Sequence, residues 1–196
     1  IALSGPGYRH PDELLRDADT AMYRAKADGK ACYALFDADM HHRAVAALDM
    51  ESKLRRAIDR QDFVLHYQPV IALDSGHIAG FEALIRWPRG EHGIVSPAEF
   101  IPLAEETGLI LAIGRWAIHE ACRQLREWQT RAPQLADLTV GVNLSARQFS
   151  EEGLVDQVAD ALAETGLPAA CLKLEITESV LMVNAQLALA KLSRLR

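Results

Sequence analysis

The sequence predicts an α/β fold in which strands and helices alternate along most of the chain, as they do in a TIM-type (β/α) barrel. Three observations support this prediction. Apolar segments with period-two alternation are followed by longer segments with apolar residues at helical spacing. This order repeats from about residue 62 onwards, and such repetition is typical of parallel sheets and barrels. Several strand-like segments also keep one polar face, with oxygen-bearing side chains near their ends.

Length and composition limit what the protein can be. The chain has 196 residues, of which 49% are apolar and 24% charged, so it has enough apolar material for a globular core. The formal charge of −6 argues against a protein that coats nucleic acids, because such proteins are normally basic. The longest apolar stretch, Leu109 to Ile118, is interrupted by a glycine, an arginine and a tryptophan, which excludes a membrane span there. Three widely spaced cysteines predict reduced, packed side chains in a cytoplasmic protein.

The N-terminal part of the chain predicts a small α+β segment followed by a long charged helix. The α+β segment, residues 1–36, is too short to bury a core of its own. The long helix carries few apolar side chains, and we interpret it as a linker that transmits a signal, mediates a dimer contact or acts as a spacer. The predicted elements are a strand at Ile1–Ser4, a helix at Pro11–Asp28 ended by Gly29, a strand at Tyr33–Phe36 and the linker helix at Asp39–Arg60.

The remainder of the chain predicts part of a barrel. Closing a (β/α)₈ barrel takes about 250 residues. Residues 62–196 supply about half of that number, so we expect the chain to stop partway round. The predicted strands are Phe63–Ile71, Ile78–Trp87, Leu138–Leu144 and Cys171–Thr177, and the predicted helices are Pro97–Glu106, Ala112–Arg131, Gly153–Thr165 and one from about Asn184.

Oxygen-bearing side chains near the ends of three strands predict a metal site. Glu82, Asn143 and Glu175 each lie on the polar side of an alternating pattern. If helices cover the apolar faces, the polar faces converge inside the barrel. Two carboxylates buried there would repel each other by several kcal/mol unless a cation lies between them. Carboxylate and amide oxygens are the ligands that Mg²⁺ and Mn²⁺ prefer.

Each of these residues also has a simpler interpretation when it is taken singly. A glutamate late in a strand is more often part of a salt bridge at the rim than a metal ligand. Asn143 alone is more often a strand-end cap or a turn residue. Arg86 lies four residues after Glu82 and could pair with it as a structural contact. The combination of all these residues in this order favours the functional interpretation.

The same runs resemble the signature of the EAL family of cyclic-di-GMP phosphodiesterases over about residues 47–196. This resemblance implies a modified TIM-type barrel whose first strand runs against the others. It also implies hydrolysis of cyclic-di-GMP to linear pGpG with one or usually two Mg²⁺ or Mn²⁺ ions. The motifs are Glu82-Ala-Leu-Ile-Arg86-Trp87, Val142-Asn143-Leu-Ser145, Leu174-Glu175-Ile-Thr-Glu178, His66-Tyr67-Gln68-Pro69-Val70 and Phe100-Ile101-Pro102-Leu-Ala-Glu105-Glu106-Thr-Gly108-Leu.

The resemblance assigns roles by position. Arg86 resembles the residue that contacts a substrate phosphate, where a guanidinium group can bind two oxygens. Glu178 resembles the residue that braces the catalytic and dimerisation loop, and Gln68 is implied to contact substrate. The implied partners are cyclic-di-GMP, rather than a nucleic acid polymer, and a second copy bound through the EAL domain. Metal ligands are implied at Glu82, Asn143 and Glu175, with Glu82, Glu175 and Glu178 as the catalytic set.

A second resemblance concerns the N-terminal segment. The run Ala18-Asp19-Thr-Ala21-Met22-Tyr23-Arg-Ala25-Lys26-Ala-Asp-Gly29-Lys30 is similar to the last helix of a GGDEF (diguanylate cyclase) domain, whose signature loop is absent here. Lys26 matches a lysine that approaches nucleotide phosphates in that family, and a solvated helix charge is an equal alternative. The implied organisation is a GGDEF remnant at 1–38, a linker helix at 39–60 and a truncated EAL domain at 61–196.

These resemblances give the functional expectation and its rivals. We expect the parent protein to be a cytoplasmic phosphodiesterase, with any membrane or sensor segment upstream. We expect this chain alone to be inactive, because the family's Asp-Asp-Phe-Gly segment and catalytic lysine have no match before Arg196. The alternatives are a non-catalytic cyclic-di-GMP receptor, a dimerisation scaffold and an unrelated metal-dependent barrel enzyme.

Overall fold

Helices and strands alternate along most of the chain in the computed structural model, which describes residues 1–5, 7–27, 31–90, 93–176 and 185–195. The chain divides into two compact units, Ile1–Lys53 and Leu54–Arg196. The elements are α1 (Pro11–Ala27), α2 (Ala38–Arg60), β1 (Val64–Ile71), β2 (Ile78–Pro88), β3 (Ile94–Val95), α3 (Pro97–Thr107), α4 (Ile110–Arg131), β4 (Thr139–Leu144), α5 (Ala146–Ser150), α6 (Leu154–Thr165), β5 (Leu172–Ile176) and α7 (Ala185–Leu195).

In the N-terminal unit, the predicted helix is formed but the two predicted strands are not. The segments Ile1–Ser4 and Tyr33–Phe36 have no strand assignment. Two backbone hydrogen bonds join them: the Ile1 amine donates to the Ala34 carbonyl at 2.7 Å, and the Phe36 amide donates to the Ile1 carbonyl at 2.8 Å. Because an isolated pair of short strands is only marginally stable, these bonds do not extend into a ladder. Gly29, the predicted end of the helix, lies outside the described residues.

A mixed sheet organises the second unit. Its strand order is β1-β2-β4-β5, and the short β3 pairs with β2 away from this path. β1 is antiparallel to β2, whereas the β2–β4 and β4–β5 pairs are parallel. The predicted alternation of strands and helices is therefore confirmed for this unit. The sequence interpretation missed β3 and α5, and also two 3-10 helices of three residues each, Pro133–Leu135 and Ala169–Cys171.

Helices pack against one face of this sheet and form the core with it. The apolar face of β4 presents Val140, Val142 and Leu144, which are all buried. Ile118 and Leu125 of α4 belong to the same cluster, as expected for a helix with apolar residues at helical spacing. The opposite face of the sheet is therefore left for polar side chains. The other buried members of the cluster are Ala83, Ala121, Cys122, Phe149, Leu154, Val158, Ala161, Leu167, Cys171 and Ala188.

Helix α3 has a terminal signal in the sequence at both ends. The Ser96 hydroxyl accepts a hydrogen bond from the Ala98 amide at 3.3 Å, and Pro97 occupies the first turn. At the other end Gly108 has a φ of 82°, and its amide donates to the Glu105 carbonyl at 3.3 Å. The predicted helix, Pro97–Glu106, begins at the same residue as α3 and ends one residue before it.

An aromatic cluster lies where α3 packs against β2. Phe100 of α3 is fully buried, and its ring centroid lies 5.8 Å from that of Trp87 and 5.9 Å from that of Phe63. The Phe100 and Trp87 rings meet edge to face at 83°, a favourable geometry for aromatic pairs. Trp116 of α4 also contacts Phe63, with the ring centroids 6.0 Å apart. This cluster therefore joins α3 and α4 to the first two strands.

The Tyr67 hydroxyl is buried and has no hydrogen-bond partner among the residues that the structure describes. The Tyr67 ring meets Trp128 at a centroid distance of 4.8 Å, and burial raises the pKa of its phenol. Because Tyr67→Phe keeps the ring and removes an unsatisfied polar group, we expect it to raise the free energy of unfolding by about 1 kcal/mol. Chemical denaturation measures this change. Tyr33→Phe, at a 75% exposed position, is the control and should have little effect, whereas destabilisation by Tyr67→Phe would mean that the hydroxyl has a partner.

The prediction for the cysteines is correct for two of the three. All three cysteines are free; Cys122 and Cys171 are buried as predicted, but Cys32 is exposed, so its predicted packing is wrong. Cys32 lies in the small N-terminal unit, which buries few side chains. Burial raises the pKa of the Cys122 thiol to about 11.

Within the described residues, no helix combines the length and the apolar character needed to cross a membrane.

Candidate functional site

Four strands place polar side chains on the face of the sheet opposite the helices. The register pairs Glu82 of β2 with Gly141 of β4, and Asn143 of β4 with Glu175 of β5. Since strand side chains alternate between faces, these four residues share one face. Gln68 of β1 lies directly opposite Glu82 in the antiparallel pair and belongs to the same face. We call these five residues the polar face.

Within the polar face, Asn143 contacts Glu82 directly. The Asn143 side-chain nitrogen Nδ2 donates a hydrogen bond to Glu82 Oε1 at 2.6 Å. This bond connects residues 61 positions apart in the sequence. An asparagine amide carries an oxygen acceptor beside its nitrogen donor, so a half-turn of the group would present the oxygen to a cation.

The Glu175 carboxylate lies over Gly141. A Cβ atom at position 141 would lie 3.3 Å from the Glu175 carboxylate carbon and still closer to its Oε1. The absence of a side chain at Gly141 therefore leaves the space that the carboxylate fills. Gly141 lies next to Glu82 in the β2–β4 register, so the two carboxylates approach the same part of the sheet from neighbouring strands.

The expected burial of the two carboxylates is wrong. Glu82 is half-buried, but Asn143 and Glu175 are exposed, because no described element covers the polar face above β5. Repulsion between buried charges therefore does not require a cation here. Within the described part of the chain, no group of three or more His, Cys, Asp or Glu side chains could hold a metal. The donors on the polar face are two carboxylates and one amide, and these hard oxygen groups fit Mg²⁺ or Mn²⁺ in kind.

The other two predicted site residues have different outcomes. Arg86 lies on the same face of β2 as Glu82, and its Nη1 donates to the Ile85 carbonyl at 2.8 Å. In the part of the chain that the structure describes, no ion pair joins Arg86 to Glu82, so the structural pairing considered for them is not formed. Glu178 lies outside the described residues.

Sequence reasoning missed Gly141 and the turn that follows Asn143. Both left a signal in the sequence. A glycine inside a strand often marks a close approach of another group, which here is Glu175. The Ser145-x-x-Gln148 spacing is typical of a capping box, and the structure forms one at the start of α5. The turn therefore directs the chain away from the sheet two residues after Asn143.

Proteins with similar sequences include two bacterial proteins that are named as cyclic di-GMP phosphodiesterases. The chain is 45% identical over 183 residues to a Pseudomonas aeruginosa protein named bifunctional diguanylate cyclase/cyclic di-GMP phosphodiesterase MucR, a match that covers 93% of this chain and 26% of that protein. It is 37% identical over 190 residues to the Escherichia coli cyclic di-GMP phosphodiesterase PdeR, covering 97% of this chain and 28% of that one. The chain thus spans about a quarter of the length of these relatives.

Solved structures and a family profile lead to the same family. A structure described as the PaMucR phosphodiesterase in complex with c-di-GMP matches with a TM-score of 0.71 and 46% identity, over 75% of this chain and 59% of that one. The Xanthomonas citri FimX EAL domain, also in complex with c-diGMP, matches with a TM-score of 0.69 and 29% identity, over 79% of this chain and 59% of that one. Residues 51–196 match the profile of the EAL domain, and the chain belongs to the EAL domain family.

Proposed function

We propose that this chain is the N-terminal part of an EAL domain that hydrolyses cyclic-di-GMP to linear pGpG. The observation that carries the proposal is the polar face, on which Glu82, Asn143 and Glu175 come from three adjacent strands with Asn143 bonded to Glu82. MucR and PdeR, which are both named as cyclic di-GMP phosphodiesterases, support the same reaction.

We further propose that Glu82, Asn143 and Glu175 hold Mg²⁺ or Mn²⁺, as two ions. When bound, the ions supply positive charge that stabilises the negative charge on the phosphate being cleaved. The residues of this chain contribute the alignment of the oxygen donors. In the metal-free chain the hydrogen bond from Asn143 holds the Glu82 carboxylate beside the Asn143 amide, and Gly141 leaves room for the Glu175 carboxylate. Glu82 lies in the middle of β2, whereas the sequence predicted a position near the end of its strand.

Arg86 and Gln68 are the proposed substrate contacts. The Arg86 guanidinium carries several donors in one plane, which suits two oxygens of a phosphate group. Its bond to the Ile85 carbonyl holds the group near the end of β2. Gln68 lies beside Glu82 and can donate or accept hydrogen bonds there. The role of Glu178 in bracing the catalytic and dimerisation loop is proposed from the family resemblance alone.

The proposed domain organisation is a GGDEF remnant at residues 1–38, a linker helix at 39–60 and the first part of an EAL barrel at 61–196. The match to the bifunctional MucR protein supports it, because that match covers 93% of the chain and so reaches upstream of the EAL profile at residue 51. We propose that the complete protein forms a homodimer through its EAL domain.

The deciding experiment measures pGpG release from cyclic-di-GMP, with Mn²⁺ present, by this chain and by a protein that carries a whole EAL domain containing it. We expect turnover by the whole domain that stops when EDTA removes the metal. We expect none from the 196-residue chain, which covers 59% of the solved MucR chain. Tight binding of cyclic-di-GMP without turnover by the whole domain would instead indicate a receptor. Turnover by the chain that disappears in Glu82→Gln would overturn its proposed inactivity.

A further inference from the structure

The turn after Asn143 is closed by the side chain of Gln148. The Ser145 amide donates to Gln148 Oε1 at 3.1 Å, and the Gln148 amide donates to the Ser145 hydroxyl at 3.2 Å. These two reciprocal bonds satisfy backbone donors at the start of α5. Gln148 is only 6% exposed, so water competes little with its bonds. The direction in which the chain leaves β4 therefore depends on where this amide lies.

Gly114 of α4 leaves the space that the Gln148 amide occupies. A Cβ atom at position 114 would lie 2.6 Å from Gln148 Cδ and closer still to its Nε2. Any residue other than glycine would therefore displace the amide. A glycine inside a helix is about 1 kcal/mol less favourable than alanine, and the close contact with Gln148 accounts for its presence here. The Gln148 side chain is thus held between α4 and the turn.

Two charged side chains also join α5 and the residue after it to neighbouring helices by hydrogen bonds. Lys191 of α7 donates to the backbone carbonyls of Phe149 and Glu151, both at 2.6 Å. Arg147 donates to the Glu105 carbonyl of α3 at 2.5 Å. Since α5 has only five residues, these bonds leave it little freedom to tilt. The amide of Gln148 is therefore presented to Ser145 from a rigid support.

We propose that Gln148 is a positioning residue, which lies against Gly114, closes the turn at Ser145 and thereby keeps Asn143 in contact with Glu82. Ser145 is two residues from Asn143, so a change in the path of the turn moves the Asn143 side chain relative to the neighbouring strand. The purpose of this alignment rests on the proposed function, in which Asn143 and Glu82 hold the metal. The alignment itself can be tested without metal.

The test follows the Asn143 side-chain amide by NMR in the metal-free 196-residue chain, with the signal identified by its loss in Asn143→Asp. The variants are Gly114→Ala, Gln148→Ala and the double variant. Gly153→Ala is the matched control, because among the described residues a Cβ there would meet only the Gln157 side-chain nitrogen, at an ordinary 3.5 Å. Melting temperatures are measured for all four variants.

We expect both single variants to shift the Asn143 amide signal to that of an unbonded amide and to increase hydrogen exchange at the Ser145 amide about tenfold. The control should leave both unchanged. The double variant should melt higher than Gly114→Ala, because the shorter side chain at position 148 leaves room for the new methyl group, yet its Asn143 signal should stay displaced. An Asn143 signal that stays at the wild-type position in the single variants, or returns to it in the double variant, would mean that Gln148 only packs, and would overturn the proposal.

A separate Mn²⁺ titration of the wild-type chain distinguishes this proposal from the proposed function. Failure of Mn²⁺ to broaden the Asn143 signal would count against the proposed metal ligands. The positioning role of Gln148 would still be decided by the metal-free measurements.

Discussion

We expect Gly141→Ala to lower strongly the hydrolysis of cyclic-di-GMP by an EAL domain that contains this chain, while the domain stays folded. The new methyl group would overlap the Glu175 carboxylate, whose carbon would lie only 3.3 Å away. Because this carboxylate is the exposed end of a flexible side chain, it moves aside more easily than the backbone does. We therefore expect turnover to fall about 100-fold and the Mn²⁺ dissociation constant to rise at least about tenfold. A pGpG assay and isothermal titration measure these changes.

Two further variants make this result specific. Glu175→Gln should lower turnover by a similar factor without adding volume at position 141. Gly80→Ala is the contrasting glycine variant, because its Cβ would meet the carbonyl of Thr139, a backbone group that cannot move aside cheaply. We expect Gly80→Ala to lower the free energy of unfolding by about 3 kcal/mol. Full activity of Gly141→Ala would mean that hydrolysis does not need the Glu175 carboxylate to lie over Gly141.

The largest stability effect is expected for Phe100→Ala, which should lower the free energy of unfolding by about 4 kcal/mol. Phe100 is fully buried and contacts both Trp87 and Phe63. Removing its ring leaves a cavity between α3 and β2 that the remaining rings cannot fill without moving the backbone. Urea unfolding followed by tryptophan fluorescence measures the change.

Leu73→Ala is the control for that measurement, because Leu73 is fully exposed in the loop after β1. We expect it to change the free energy of unfolding by less than about 0.5 kcal/mol. A loss of under about 1 kcal/mol in Phe100→Ala would mean that the aromatic cluster collapses around the gap and carries little of the stability.

The sequence predicted the elements of the second unit well where both period and terminal signals were present. Helix α3, with Ser96 at its start and Gly108 at its end, is the clearest example. Two-residue β3 and five-residue α5 are too short to show a period, so they were missed. The strands predicted at Ile1–Ser4 and Tyr33–Phe36 failed for a different reason. These two segments are hydrogen-bonded to each other, but an isolated pair of such short segments does not form a ladder, and the local sequence does not show that no third strand joins them.

For the candidate site, the sequence indicated which face each residue occupies but not which residues lie opposite each other. Period-two alternation in the sequence places Glu82, Asn143 and Glu175 on polar faces. The pairing of Gln68 with Glu82 depends on how β1 and β2 are aligned, and the sequence does not state that alignment. The burial of Glu175 was overestimated, since exposure depends on what covers β5 rather than on β5 itself.

The two carboxylates of the polar face belong to strands with different support. β2 is hydrogen-bonded to β1 on one side and to β4 on the other, whereas within the described residues β5 is bonded to β4 alone. Glu82 therefore belongs to a strand that is hydrogen-bonded along both edges. Glu175 belongs to a strand that, within the described residues, is hydrogen-bonded along one edge. If the polar face binds a ligand as proposed, we expect Glu82 to keep its position and Glu175 to move to fit the ligand. The polar face thus combines one rigid carboxylate with one that can adjust its position.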